Sequence, residues 1–304
     1  MIIPLRDIGS NPRGEPCVAC DASCARLRGR IGSAKALSLV SKRRSARVDF
    51  FQLFDRQPVD RIGGAVLLDI PAGAGGESAQ LERMGFEVVS ADLFPPTAGA
   101  PAPRWVRADC NAPLPFRTAA FDAVLSREGI EHFENQAGFV RECARVLRPG
   151  GRIVLTTPNL MHLSARLSAL LTGQRTMRRG LANEVETLRA RAAGRFYHGH
   201  IFLIDYFRLR YLMRLAGLGA VEVYTDRFSP SSIALVPMVP VMYAASRAAV
   251  AAFARKARQH RRAVASPELT AEILRHVFSP ALLFGKRMIV TAVREDGSAQ
   301  AAER

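Results

Sequence analysis

"VLLDIPAGAGGESAQL", Val66 to Leu81, runs three apolar residues into an aspartate, then through a turn of small residues into a stretch of helical character. That order puts the turn at the carboxyl end of a strand, where open α/β sheets hold their ligands. Working outward, the same alternation continues. Apolar runs of strand length are "AVLLDI", "FEVVSAD", "RWVRAD", "FDAVLS" and "GRIVLTTP", with helix-like stretches such as "GESAQLERMG" and "QAGFVRECARVLRPGG" between most of them. In the second of these, Phe139, Val140, Cys143, Val146 and Leu147 recur at helical spacing, and Arg148-Pro149-Gly150-Gly151 marks a stop and a turn. Strands buried on both faces with helices between them predict a parallel, doubly wound sheet. "AVEVYTDRF" and "KRMIVTAV" read as a sixth and a seventh strand.

Three ligands compete for the turn. A phosphate-cradling P-loop ends in GK[ST], and this turn ends in Gly-Gly-Glu-Ser, so that reading is excluded. A dinucleotide fingerprint, G-x-G-x-x-G, is met only in part, because the third position counted from Gly73 is Ser78. S-adenosylmethionine carries no phosphate; its sulfonium is positive and its amino-acid end zwitterionic. Asp69 at the end of strand one can order the turn and help receive the ligand's ammonium. Asp92, closing strand two, is placed to accept ribose hydroxyls, and Asp109, closing strand three, to accept from the adenine amino group. Strand-end aspartates also cap helices and start turns, but three along one sheet edge point to a ligand.

The region Ala65 to Pro158 resembles a class I S-adenosylmethionine-dependent methyltransferase, of the type 11/23 kind found in bacterial glycan and lipid biosynthesis clusters. "LLDIPAGAGG" is similar to the family's D-x-G-x-G-x-G loop, "ADCNAPLPF" to its adenine-side segment, and "FDAVLSREGIEHFEN" and "RVLRPGGRIVLTTPN" to its fourth and fifth strand motifs. The resemblance implies a Rossmann-like, seven-stranded, mostly parallel sheet with an antiparallel last strand, and S-adenosyl-L-methionine as cofactor. It places Asp69, Ala72, Gly73 and Gly75 at the methionine end, Asp92 and Leu93 at the ribose, Asp109 and Cys110 at the adenine, and Arg127 among the cofactor-binding residues. Pro71 departs from the pattern, where glycine is usual. Proline fixes φ and gives up a donor, so a stiffer turn with cofactor binding kept is expected.

Methyl transfer from a sulfonium is an in-line displacement of an already activated group, so alignment dominates. A hydroxyl acceptor also needs a base. "REGIEHF" supplies Glu128, Glu131 and His132, an order similar to that of ubiquinone-biosynthesis O-methyltransferases, and His132 is the candidate base. Glu131, with Tyr197, His198 and His200 from "FYHGHIFLIDYFRLRYLMRLAGLG", are candidate acceptor-side residues, and Asp205 is placed to cap the helix that follows. No metal is expected at Glu128, Glu131 and His132, nor at the clustered Cys17, Cys20 and Cys24, which lack a fourth ligand nearby.

The chain has 304 residues and a net charge of +16, carried almost wholly by arginine, since lysine occurs only at Lys35, Lys42, Lys256 and Lys286. Such a balance speaks to anionic partners and not to fold. The expected organisation is a basic, mobile leader (1–46), a core (47–228 and 286–294), an apolar and basic helical insert (229–285) and a tail (295–304). "RVDFFQLFD" reads as a short helix on the core, and Leu160 to Arg191 as a long helical region. In the insert, "SPSSIALVPMVPVMYAAS" is uncharged, with Pro237 and Pro240 expected to break any continuous helix into a short hairpin; "RAAVAAFARKARQHRR" then reads as a basic amphipathic helix. Residues 229–262 therefore suit either an anionic membrane surface or a lid or dimer contact. With no apolar stretch of signal-peptide length at the start and an odd cysteine count of five, the expected compartment is the cytoplasm, with peripheral attachment to the inner face of its membrane. The expected acceptor is a small or lipid-linked molecule, a glycan or quinone-like compound. Nucleic acid is not the expected partner, since strand four lacks an N-P-P-[YF] loop, and an RNA methyltransferase or a non-catalytic scaffold on the same fold are the alternatives.

Overall fold

β1 (Val66–Asp69) is buried along its whole length and lies third in a seven-stranded sheet, beside the central strand. In the computed structural model, which describes residues 47–48, 50–55, 64–96, 104–174, 199–260 and 262–296, the strand order is β3-β2-β1-β4-β5-β7-β6. The leader with Cys17, Cys20 and Cys24, the acceptor-side candidates Tyr197 and His198, and the last eight residues lie outside the described residues. β2 (Glu87–Asp92), β3 (Trp105–Arg107), β4 (Phe121–Arg127) and β5 (Leu147–Pro158) all run parallel to β1. β7 (Arg287–Arg294) inserts antiparallel between β5 and β6 (Leu218–Tyr224). The expected doubly wound sheet with an antiparallel last strand is the one observed.

Hydrophobic runs without alternation made these strands, and the structure buries both of their faces. On one face Leu68, Val124, Ile153 and Leu155 join a core cluster with Phe139, Val140 and Cys143 of α3 (Gln136–Val146) and Tyr206, Leu209 and Met213 of α5 (Tyr206–Leu215). On the other, Leu67, Val88, Leu125 and Val154 pack with Phe50, Leu53 and Phe54 around α1 (Gln52–Asp55) and with Leu81 of α2 (Gly76–Arg83). The segment read as a helix from Arg47 is shorter than expected. Arg47 forms a parallel bridge to Thr225 and Val48 N donates to Thr225 O, so the chain enters beside the end of β6 and turns helical only at Gln52.

Of the long helical region read after β5, the described residues hold α4 (Leu163–Thr172), closed by Gly173 in the left-handed region at φ 69°; residues 175–191 lie outside the described residues. One expectation about the insert fails for a local reason. The insert holds no apolar hairpin. After a short α6 (Pro230–Ile233) and a 3-10 turn (Val236–Met238), a single helix, α7 (Val239–Gln259), runs for 21 residues. Pro240 sits in its first turn, where the missing N–H has no intrahelical partner to lose, so it starts the helix instead of breaking it. α8 (Pro267–Val277) and α9 (Pro280–Phe284) then lead into β7.

α8 is tied to α5 by a buried polar network. The Tyr206 hydroxyl and His276 Nδ1 are 2.6 Å apart, and Arg210 bonds Glu272 at 2.9 Å. Burial, helped by Arg275, pushes the His276 imidazole down to about 4. The unfolded chain therefore takes up a proton as pH falls below the ordinary histidine range while the folded chain does not until about 4. The network's contribution is complete above about 6.5 and is lost as pH falls toward 4, with a ceiling of about 3 kcal/mol at ~1.4 kcal/mol per pH unit. Denaturant midpoints of the wild type should accordingly drop more steeply between pH 6.5 and 4 than those of His276→Gln.

Candidate functional site

The chain leaves β1 toward β2 on one side and, after β3, returns to β4 on the other, so the winding reverses between β1 and β4 and opens a crevice at their carboxyl ends. The loop after β1 is drawn down at both ends: Ile70 N donates to Leu125 O and Ala72 N to Ala91 O, each at 2.9 Å. The Ile70–Pro71 peptide is cis. Gly73 and Gly75 have φ of 53° and 78°, left-handed values that a side chain rarely adopts, and a Cβ built on Gly73 would meet nothing within 4 Å. The loop therefore presents bare backbone to open space.

Each predicted cofactor-side residue has a definite place. Asp69 lies beneath the loop, fully buried, accepting from Ser78 Oγ at 2.6 Å; Ser78 accepts in turn from Ser90 Oγ at 2.8 Å. This serine pair joins α2 and β2 to the strand-end acid, and it was missed from sequence because two serines twelve apart carry no recognisable pattern. Asp92 accepts from Gly73 N at 2.9 Å and from Phe94 N at 3.0 Å, one bond to each carboxylate oxygen. Each oxygen keeps a further acceptor site. Leu93 follows, half-buried, and Ala72 is buried under the turn. Asp109 is exposed and accepts from Asn111 N at 2.8 Å, while the neighbouring Cys110 is buried, its thiol pushed up by that burial. Arg127 forms an ion pair with Glu77 across the crevice and stacks over the Phe50 ring at 5.7 Å. The three acids follow successive strands along one sheet edge but are not equally exposed: Asp69 holds the loop from below, Asp92 is buried against the loop amides, and Asp109 is exposed. An adenosyl group fits this arrangement: there is space above Gly73, acceptor capacity on Asp92 for ribose hydroxyls, and no phosphate-like cradle.

The exit of β4 forms the opposite wall. Gly129 is buried against Pro71, and a Cβ there would lie 2.4 Å from Pro71 Cδ and 3.2 Å from Phe133 Cζ. The proline that departs from the family pattern thus faces a glycine that makes room for it. Glu128 has a φ of 49°, a strained value for a non-glycine residue. Its backbone N donates to Thr156 O and Oγ1, and its carboxylate accepts from Arg287 Nε at 3.0 Å; Arg287 also pairs with Asp226 at 2.5 Å. Glu128 is committed to this bridge between β4 and β7.

Glu131, fully buried, accepts from Thr157 Oγ1 at 3.1 Å and lies 3.5 Å from His200 Nδ1. The His132 and His200 rings are 4.7 Å apart between centroids. Residues 68 positions apart in the chain therefore share one site, with donor atoms of Glu131, His132 and His200 all within 4.8 Å of one another. Such a set can pass a proton or hold a divalent cation. The segment carrying His200 is held by Phe202 N donating to Glu131 O at 3.1 Å and by Gln136 Nε2 donating to Phe202 O at 2.5 Å.

Two outcomes follow from this geometry. Burial, opposed by the Ser78 hydrogen bond, pushes Asp69 up to about 7. The folded chain then keeps a proton that the unfolded chain releases above about 4, so this group's contribution to stability falls as pH rises from about 4 to 7, by at most about 4 kcal/mol at ~1.4 kcal/mol per unit. Denaturant midpoints should show Asp69→Asn gaining on the wild type across that window. Gly129→Ala should force the two loops apart. The expectation is a loss of about 1–3 kcal/mol of stability and at least tenfold weaker binding of S-adenosylhomocysteine by calorimetry.

Comparison with known proteins agrees with this geometry. Residues 68–155 match a family model described as a methyltransferase domain. A protein of Mycolicibacterium smegmatis named "Probable S-adenosylmethionine-dependent methyltransferase" is 34% identical over 108 residues, 34% of this chain and 42% of that protein. A ubiquinone biosynthesis O-methyltransferase of Xanthomonas oryzae is 31% identical over 109 residues (32% and 45%), and a demethylmenaquinone methyltransferase of Mycobacterium bovis is 39% identical over 98 residues (31% and 42%). The chain spans less than half the length of these curated relatives. The matched segment contains the end of β1, all of β2, β3 and β4, the loop at Gly73 and Gly75, Asp92, Asp109, Glu131 and His132. The chain carries, in this segment, a class I S-adenosylmethionine-dependent methyltransferase domain.

Proposed function

We propose that this chain transfers a methyl group to a hydroxyl of a small or lipid-linked acceptor, and that the imidazole pair His132 and His200, backed by Glu131, receives the acceptor's proton. The observation that carries the reading is the buried Glu131 carboxylate, 3.5 Å from His200 Nδ1 at the crevice wall. A carboxylate beside one ring nitrogen orients an imidazole and stabilises its protonated form, leaving the other nitrogen for the substrate. His132 packs against His200 and lies on the 3-10 turn leaving β4, so both rings share the acceptor side.

S-adenosylmethionine supplies a methyl group on a positive sulfur. The protein's part is alignment: Asp92 and the Gly73 backbone seat the adenosyl end, Asp109 and Cys110 bound the adenine side, and the Arg127–Glu77 pair closes the mouth beside α2. As the oxygen–methyl bond forms and the carbon–sulfur bond breaks, the hydroxyl proton passes to an imidazole. Two of the relatives have names that refer to quinone biosynthesis, which supports a quinone-like hydroxylated ring as the acceptor class.

Labelled cofactor incubated with a lipid extract, with a hydroxylated quinone analogue and with RNA tests the reading. Label is expected in the lipid or quinone fraction; label in RNA alone, or in none, overturns it. With an accepted substrate, His200→Asn and His132→Asn should each lower kcat at least about 100-fold, with S-adenosylhomocysteine affinity unchanged. Glu131→Gln should lower kcat more than it changes KM. Activity that survives exhaustive EDTA treatment supports proton transfer, whereas loss restored by a divalent cation would reassign the three side chains to a metal.

A further inference from the structure

Both ends of the insert leave the sheet at the rim that carries the cofactor loop. β6 and β5 both run antiparallel to β7; Tyr224, at the end of β6, pairs with Ile289, and Arg287, at the start of β7, pairs with Pro158 at the carboxyl end of β5. The insert thus stands on the ligand side of the sheet by topology. Its main element, α7, is nearly bare. Ala257 is its one buried residue, and Tyr243 meets Phe278 edge-on at 5.0 Å. Val241 and Phe253 are 72% and 65% exposed. On the neighbouring α4, Leu170 and Leu171 are 77% and 73% exposed. α4 is pinned to the root of the insert, where Ser232 Oγ lies 3.0 Å from His162 Nδ1 and accepts from Ser164 N at 3.2 Å.

Charge selects the occupant of this surface. Residues 229–262 contain Arg247, Arg255, Lys256, Arg258, Arg261 and Arg262 and no aspartate or glutamate. Pairing with a second copy through the same helix would offer these cations no anionic partner, since the segment carries no acid. A nucleic acid would leave the apolar side chains without a partner. A bilayer with anionic headgroups satisfies both at once.

Spanning is excluded by chain length. The segment Val236–Gln259 is long and apolar enough, by length and composition alone, to cross a bilayer. At 1.5 Å per residue, α7 is about 30 Å long. Only residues 260–266 join it to α8, which is anchored on α5, and seven extended residues reach at most about 25 Å. α6, at the other end, is anchored as well, so both ends return to one body.

We propose that α7 lies flat on an anionic leaflet, its apolar side chains in the headgroup boundary and its cations on the phosphates, turning the ligand rim of the sheet toward the bilayer from which a lipid-linked acceptor would come. The acceptor clause rests on the methyltransferase reading; the docking does not.

The test is co-sedimentation of the full chain with phosphatidylcholine vesicles containing 0 or about 30 mol% phosphatidylglycerol, with S-adenosylhomocysteine calorimetry on every variant. Binding is expected on the anionic vesicles only, weakening with salt. It should fall at least tenfold in Arg255→Glu/Lys256→Glu/Arg258→Glu and in Val241→Asp/Phe253→Asp, with calorimetric heats retained. Equal binding to neutral vesicles, no binding to either, or a dimer by sedimentation velocity that Phe253→Asp dissociates would each overturn the docking. Retained heats in any of these cases leave the methyltransferase reading standing, and absent heats with intact vesicle binding would overturn that reading alone.

Discussion

The closeness of the two chain exits at the centre of the sheet is the constraint on which the site depends. Where the winding reverses, the loop after β1 and the turn after β4 must face each other without filling the gap between them. Here Pro71 and Gly129 meet so closely that no side chain fits at 129. That contact sets the width of the crevice. Candidate ligand residues hang on both walls: Gly73, Gly75 and Asp92 on the first, Glu131 and His132 on the second.

Charge placement then separates holding from reacting. Glu128 and Glu131 are three residues apart, yet they do different work. Glu128 is drawn to Arg287, which also holds Asp226, and ties β4 to β7. Glu131 is turned inward to Thr157 and His200. Asp69 and Asp92 also differ in what holds them, one kept beside two serines under the loop and the other bonded to loop amides.

The insert shows what an exposed apolar surface implies when the charge around it has one sign. A helix that is apolar on most of its circumference needs a partner, and among the described residues α7 buries only Ala257. The insert springs from the same rim of the sheet as the cofactor loop.

Much of the fold was legible in sequence because its signals are local. Unbroken apolar runs require burial on both faces, and the regular return of helix-like stretches requires crossovers, so the parallel sheet, its order of elements, and Asp92, Gly73 and Gly75 at a ligand edge follow from short-range pattern. The helical insert was also legible, but its single long helix was not: a proline breaks a helix or begins one according to which turn it occupies, and Pro240 occupies the first. Only the tertiary structure decided what holds each carboxylate. Asp69, read as ordering the turn and helping to receive the cofactor's ammonium, is held beneath the loop by Ser78; Glu128, from the same short stretch as Glu131, is held by an arginine 159 residues away. It also brought His200 to His132 and Glu131 across 68 residues. Sequence pattern reports what a residue needs from its neighbours in the chain. The direction of a charge is set by partners that the fold supplies from elsewhere.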